Sequence, residues 1–152
     1  MSAADPFELS RFIAAQDRCY DTVVAELRSG RKRSHWIWFV FPQLAGLGRS
    51  PTARRFGISG PAEARAYLEH PVLGARLREC ARILVDAGRG QRRSAEEIFG
   101  FPDHLKVRSS MTLFERVAGT PADVANFAAV LDQLYAGYPD GRTDPATLAL
   151  LG

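Results

Sequence analysis

Apolar side chains recur at helical spacing along most of the chain, and capping residues mark where each run starts. The first run follows Asp5-Pro6, an N-cap with the proline that a first helical position tolerates, and stops at Gly30. Residues three and four apart within it would share one helix face. They are Leu9, Phe12, Ile13, Gln16, Tyr20, Val23, Val24 and Leu27. The pattern predicts one long amphipathic helix.

Further caps predict a series of shorter helices. Ser94 and Glu97 form a capping box, in which each side chain can bond an orphan amide of the new turn. The other starts are Ser50-Pro51, Ser59-Gly60-Pro61, His70-Pro71, Asp103 and Thr120-Pro121. The segment Gly88–Arg93 is predicted to be a flexible basic loop. We expect an all-α fold, a compact single-domain bundle of about six to eight helices with a short buried aromatic segment.

The aromatic segment is Ser34–Leu44, which contains both tryptophans. Burying each of its large apolar side chains stabilises the fold by roughly 1.5–3 kcal/mol. Its apolar run does not by itself distinguish a strand from a buried helix. No second strand pattern occurs to pair with it, and an unpaired buried strand would leave its amides unsatisfied. We therefore predict a short helix ending before Pro42, with Trp36 deeply buried and Trp38 nearer the surface, or the reverse.

Composition narrows the class of protein. A chain of 152 residues suffices for one domain with a hydrophobic core. Its two cysteines, Cys19 and Cys80, give neither a disulfide framework nor zinc spacing, and we expect both to be reduced. The first residues lack a signal-peptide pattern, and the longest apolar run, Trp36–Phe41, is far shorter than a membrane span. The expected location is the cytoplasm, without membrane association.

The net charge of +3 comes almost entirely from arginine and permits contact with phosphate groups. The arginines are dispersed, however, whereas the aromatic residues form one apolar block. Proteins that bind single-stranded nucleic acids instead interleave exposed aromatic and basic residues. We therefore expect no sequence-specific nucleic-acid binding. The oligomeric state is open.

Three features of the chain together resemble the DUF1810 family. They are the segment Ser34–Leu44, the tripeptide Ile98-Phe99-Gly100, and the stretch from Lys106 through Ser109 to Phe114. Ala15-Gln16 and Tyr67–Gly74 match as well, and the resemblance extends from about Asp5 to Tyr135. It implies a small, mainly helical, single-domain bacterial protein. It implies no reaction and no catalytic residues, and His104 stands where the family pattern has an acidic residue.

Some members of this family carry the label calpastatin. An inhibitor that stays disordered is polar and poor in aromatic residues. This chain is 46% hydrophobic and holds a dense aromatic block. The composition therefore argues against that label.

The polar residues around the two motifs are candidate ligand contacts. Histidine and tryptophan faces can stack a base or a sugar, while lysine and serine donors can hold phosphate. A charged lysine is too costly to bury alone, so we expect Lys106 at the rim of a concavity shared with His35 and Ser110. The candidates are Lys32, His35, Trp36, Gln43, Lys106, Ser109, Ser110 and Thr112. The competing interpretation is that these groups only serve packing and helix ends.

Three functions remain open, of which a binding module for a phosphate-bearing or nucleotide-like small molecule is favoured. The second is an enzyme acting on a nucleotide or ADP-ribose-like ligand, with Glu96, Glu97 or Asp103 as acid or base beside His35. The third is a helical protein-interaction domain. No nucleophile elbow, metal-ligand spacing or P-loop ending accompanies these residues, so we expect neither a metal nor a cofactor.

Overall fold

Ten α-helices and one 3-10 turn form the part of the chain that the computed structural model describes, residues 4–91 and 93–152. The helices are α1 (Ser10–Asp17), α2 (Tyr20–Ser29), α3 (Ile37–Val40), α4 (Pro51–Phe56), α5 (Pro61–Glu69), α6 (Leu73–Gln91), α7 (Ala95–Phe99), α8 (Asp103–Val117), α9 (Pro121–Tyr135) and α10 (Pro145–Leu151). The 3-10 turn is Ala45–Leu47. These residues contain no strand, only a single bridge between Leu44 and Ile58. The all-α prediction is confirmed.

Helices begin where the sequence predicted caps at Ser50, Ser94 and Thr120, and a further helix begins after Asp144. The side chains of Ser50, Thr120 and Asp144 each accept a hydrogen bond from the backbone N–H three residues later. Ser94 and Glu97 form the complete capping box at the start of α7. Local chemistry therefore sets the start of four helices.

The first predicted helix is instead divided into α1 and α2. Cys19, between them, leaves the helical region with φ −146°. The two halves pack on different partners, α1 against α3 and α2 against α6. The Gln16 side chain at the end of α1 donates to the Phe39 carbonyl at 2.7 Å and to the Tyr67 hydroxyl at 2.9 Å. Tertiary contacts thus turn the chain where the apolar pattern runs on.

The predicted basic loop at Gly88–Arg93 is wrong over most of its length. Helix α6 continues to Gln91, and Arg92 lies outside the described residues. A glycine costs a helix only about 1 kcal/mol relative to alanine. Ala87, the residue before the first of these glycines, is buried, so α6 is packed against the rest of the domain up to that point.

Helix α8 is the centre of the domain. It packs against α9, α5, α7, α10 and α3. Every residue from Val107 to Phe114 is buried, so its middle turns have no solvent-facing side. Around it, α6 packs on α9, α2 and α5. None of the described helices is both long and apolar enough to cross a bilayer.

Within the aromatic segment, Ile37–Val40 form a short helix, as predicted, and the two tryptophans of the segment differ in burial. Trp36 is 1% exposed, with its ring against Phe41, whereas Trp38 is only partly buried. The segment contributes Ile37, Val40 and Phe41 to the core. The prediction that one tryptophan is deep and the other nearer the surface is confirmed.

A buried carboxylate fixes the loop in front of this segment. The Glu26 side chain, in a residue that is 8% exposed, accepts from four donors. They are the backbone N–H groups of Arg33 and Ser34, the Ser34 hydroxyl and the Trp36 indole N–H. Burial alone would raise the pKa of Glu26, but these hydrogen bonds lower the pKa to about 2. Ser34 and Trp36 are thus held by Glu26.

Helices α5 and α6 meet at Gly74 with no room for a side chain. A Cβ there would clash with the Leu68 carbonyl oxygen, a backbone atom that has little freedom to move. Although alanine favours a helix more than glycine does, we expect Gly74→Ala to lower the free energy of unfolding by about 2 kcal/mol. Urea denaturation measures this loss. Gly119→Ala is the control, because nothing lies within 4 Å of its added Cβ; equal stability of the two variants would contradict the packing at Gly74.

Candidate functional site

A cleft of about 420 Å³ opens where three distant stretches of the chain meet. The first contains α3, the 3-10 turn and the start of α4; the second is the beginning of α8; the third is the beginning of α10. Its lining includes Trp38, Gln43, Leu47, Gly48, Arg49, Ser50, Ala53, Pro102, Leu105, Lys106, Ser109, Asp144 and Ala146. Apolar residues and six polar or charged ones share this lining.

The cleft has an excess of positive charge beside its aromatic wall. The Lys106 ammonium lies 5.9 Å from the centre of the Trp38 ring and 3.5 Å from the Asp103 carboxylate. Asp103 also pairs with Lys32 at 2.8 Å, so two ammonium groups share one carboxylate. Arg49, exposed at the rim, adds a further cation. An anion placed at Lys106 would therefore meet incompletely neutralised charge.

Hydroxyl groups on α8 position the third wall. The Asp144 backbone N–H donates to the Thr112 hydroxyl at 3.0 Å, and that hydroxyl donates to the Arg108 carbonyl at 2.8 Å. The Ser109 hydroxyl lies 2.9 Å from Asp144 Oδ2 and 3.1 Å from the Leu105 carbonyl, as a donor to these oxygens. The start of α10 is thereby anchored to the central helix.

Arg108 holds the chain just before this wall. Its buried guanidinium donates to the Asp140 carboxylate and to the carbonyls of Gly141 and Arg142. The same group lies 4.9 Å from the centre of the Tyr138 ring. The hydrogen bonds of Arg108 lower the pKa of Asp140. The segment between α9 and α10 is thus bound to α8 by polar contacts.

Three predicted ligand residues meet in the cleft: Gln43, Lys106 and Ser109. Lys106 lies at the rim with its side chain 21% exposed, as its charge requires. Lys32 does not line the cleft. Its side chain is 6% exposed and pairs with Asp103, the carboxylate that also pairs with Lys106. His35 is exposed and is not part of the lining.

The other three predicted residues lie inside the protein and do not line the cleft. Trp36 is 1% exposed and holds Glu26, and Thr112 is fully buried between Arg108 and Asp144. Ser110 is also fully buried, and its hydroxyl has no hydrogen-bond partner among the described residues. For Trp36 and Thr112, the competing interpretation of packing and helix support is the better one.

Sequence reasoning missed four polar or aromatic groups of the cleft: Trp38, Arg49, Ser50 and Asp144. Two carried a usable signal, since Ser50 and Asp144 are caps that precede proline. For Trp38, the sequence indicated only that one of the two tryptophans lies nearer the surface, without saying which. The sequence did not distinguish Arg49 from the other dispersed arginines. Only its position in the lining of the cleft does so.

The four residues expected as acid or base groups do not line this cleft; they are His35, Glu96, Glu97 and Asp103. Asp103 is paired with both lysines, and backbone and side-chain hydrogen bonds from Ser94 lower the pKa of Glu97. Glu96 lines a separate cleft with His104 and Tyr138. Burial raises the pKa of the Cys80 thiol to about 12, so it is a poor nucleophile.

Comparison with known proteins shows what the chain is similar to. A crystal structure of the conserved hypothetical protein Rv1873 from Mycobacterium tuberculosis matches with a TM-score of 0.87 and 54% sequence identity. The match covers 97% of this chain and 98% of that one. No curated protein matches. The family model described as "Protein of unknown function (DUF1810)" matches residues 6–151. The chain therefore belongs to the DUF1810 family.

Proposed function

We propose that the protein is a binding module for a phosphate-bearing, nucleotide-like small molecule, which it holds in the cleft between α3, α4, α8 and α10. The observation that carries this proposal is the placement of the Lys106 ammonium 5.9 Å from the Trp38 ring, in one concavity. The ammonium supplies a partner for phosphate. The ring supplies a face for a planar group.

The charge of the cleft favours an anion. Lys32 and Lys106 share the carboxylate of Asp103, which leaves one positive charge in excess among these three groups. Lys32 is nearly buried, so solvent screens its charge less than it would screen that of a surface lysine. A phosphate at Lys106 would form a charge-assisted hydrogen bond, about twice as strong as a neutral one.

The size and the wall of the cleft favour an organic ligand over a free ion. Small-molecule sites commonly enclose about 300–1,000 Å³, and the volume of about 420 Å³ falls in this range. The backbone that carries Trp38 is anchored, because its neighbours Ile37 and Phe41 are in the core. Its partly exposed ring offers a stacking surface on this anchored helix.

We expect Lys106→Gln to weaken binding of adenosine monophosphate by about tenfold, the cost of losing one charge-assisted contact. Binding is measured by tryptophan fluorescence titration, after a thermal-shift screen of nucleotides, sugar phosphates and ADP-ribose. The variant should fold normally, because Lys106 pairs with Asp103 only at 3.5 Å near the surface. Arg54→Gln is the control: it removes one exposed cation from α4 that does not line the cleft.

Equal affinity of Lys106→Gln and the unaltered protein for every compound that binds would place the site elsewhere. Turnover of a bound compound would instead favour the enzyme alternative. If no phosphate-bearing compound binds, the proposal is wrong.

The protein-interaction alternative has one observation in its favour. Phe101 is 75% exposed and Leu105 is 38% exposed, and both lie beside Pro102 at the start of α8. Large apolar side chains that share an exposed surface often mark interaction sites. Failure of the whole ligand screen would leave this surface as the better guide to function.

A further inference from the structure

We infer that Asp144 selects the ligand, and that the cleft takes phosphates whose sugar hydroxyls donate to the free carboxylate oxygen of Asp144. This inference rests on the proposed function and names the ligand class: nucleoside and sugar phosphates with free hydroxyl groups. Inorganic phosphate and phosphates without hydroxyl donors are the compounds that the site discriminates against.

The Asp144 carboxylate is held in a fixed orientation by one of its two oxygens. Oδ2 accepts from the Ser109 hydroxyl at 2.9 Å, from the Thr147 backbone N–H at 3.1 Å and from the Thr147 hydroxyl. The Asp144 N–H is in turn bound to Thr112. Four contacts therefore fix the position of this side chain before a ligand arrives.

The second oxygen is left for a ligand. Oδ1 accepts no hydrogen bond from any residue in the part of the chain that the structure describes, although Asp144 lines the cleft. An ionised carboxylate oxygen accepts hydrogen bonds and donates none. The group that completes this site is consequently a donor.

The charge pattern of the lining points to the same class of ligand. Asp144 is the one carboxylate among the described lining residues, which also include Arg49 and Lys106. A bare phosphate would gain from the two cations and lose through repulsion by Asp144. In a molecule whose hydroxyl groups lie some distance from its phosphate, the hydroxyl groups can donate to Asp144 while the phosphate stays near the two cations. Carboxylates that accept from ribose hydroxyls serve this purpose in dinucleotide-binding proteins.

The direct test compares adenosine monophosphate with its 2′,3′-dideoxy analogue on the unaltered protein. The two compounds share the base and the phosphate and differ only in the hydroxyl donors. We expect the hydroxylated compound to bind about tenfold to a hundredfold more tightly, the effect of hydrogen bonds to a charged acceptor. Isothermal titration calorimetry measures both affinities.

The variant Asp144→Asn tests whether Asp144 is responsible for the preference for hydroxyl groups. Asparagine keeps an oxygen for Ser109 and Thr147 and remains a good N-cap for α10, but it replaces the free acceptor by an amide donor. We expect this variant to bind both nucleotides with similar affinity and to bind inorganic phosphate at least as tightly as before. Asp86→Asn, which removes an exposed carboxylate on α6, should keep the full preference for hydroxyl groups.

The outcomes separate this inference from the proposed function. If both nucleotides bind equally to the unaltered protein and Lys106→Gln weakens both, the phosphate site stands and the role of Asp144 is overturned. The comparison on the unaltered protein gives this answer even if Asp144→Asn folds poorly. If neither nucleotide binds, the proposed function and this inference fall together. The inference about Asp144 is also overturned if a folded Asp144→Asn protein still prefers the nucleotide with hydroxyl groups.

Discussion

Replacement of Glu26 by alanine is expected to lower the free energy of unfolding by about 3–5 kcal/mol, a large effect for a single substitution. The carboxylate accepts from four donors, two on the backbone and two on side chains. Its removal would leave these donors unpaired in a region where Glu26 is 8% exposed and Trp36 is 1% exposed. Chemical denaturation followed by circular dichroism measures the loss.

The lowered pKa of Glu26 predicts how the stability of the fold depends on pH. The pKa of Glu26 falls from the ordinary 4.5 to about 2 in the folded protein. A lowered pKa stabilises the fold at pH values above 4.5, and the stabilisation is lost as the pH falls through 2. Its size is about 3 kcal/mol, from the difference between the two pKa values.

Glu26→Gln is the matched variant for this pH dependence. Glutamine keeps the shape and one acceptor oxygen but cannot titrate. We expect it to be less stable than the unaltered protein at neutral pH and to approach it in stability near pH 2. A constant stability difference between the two proteins across this range would show that Glu26 does not titrate as its contacts require.

Trp36→Ala is the second large effect, with an expected loss of about 3–5 kcal/mol. The side chain is almost fully enclosed, with its ring centre 6.2 Å from that of Phe41 and 5.4 Å from the Lys32 ammonium. Truncation leaves a cavity and removes one donor from Glu26. Thermal unfolding should show a decrease in Tm of about 10 °C for a domain of this size.

Trp38→Ala provides the comparison for this variant. Trp38 has the same chemistry, two residues away, but it is only partly buried and faces the cleft. We expect a smaller loss of about 1–2 kcal/mol, together with loss of nucleotide binding. If the two tryptophan variants are equally destabilised, the difference in burial between the two rings does not hold in solution.

The fold was largely predictable because its signals are local. Ser50, Ser94 and Thr120 start helices through contacts with backbone groups three residues away, and such contacts are written in adjacent sequence. The break at Cys19 was not predictable from the apolar pattern, which continues through it. It results from packing of α1 and α2 on different partners.

The candidate site was predictable only in part, for the same physical reason. Lys106 and Ser109 stand out within one motif, and both line the cleft. Asp144 lies 35 positions from Ser109, and only the packing of α10 on α8 brings the two side chains together. The burial of Ser110 and Thr112 follows from the central position of α8, which its amphipathic pattern did not reveal.

Because the third wall is attached to α8, the ligand binding that we propose for the cleft would be linked to local unfolding of α10. Release of α10 requires the hydroxyls of Ser109 and Thr112 to give up Asp144, while the packing between α8 and α9 can persist. A ligand that bridges Lys106 and Asp144 would bind only the closed arrangement and would suppress this opening by mass action. Amide hydrogens of α10 would then exchange more slowly with solvent, so the last helix would report ligand binding from outside the cleft.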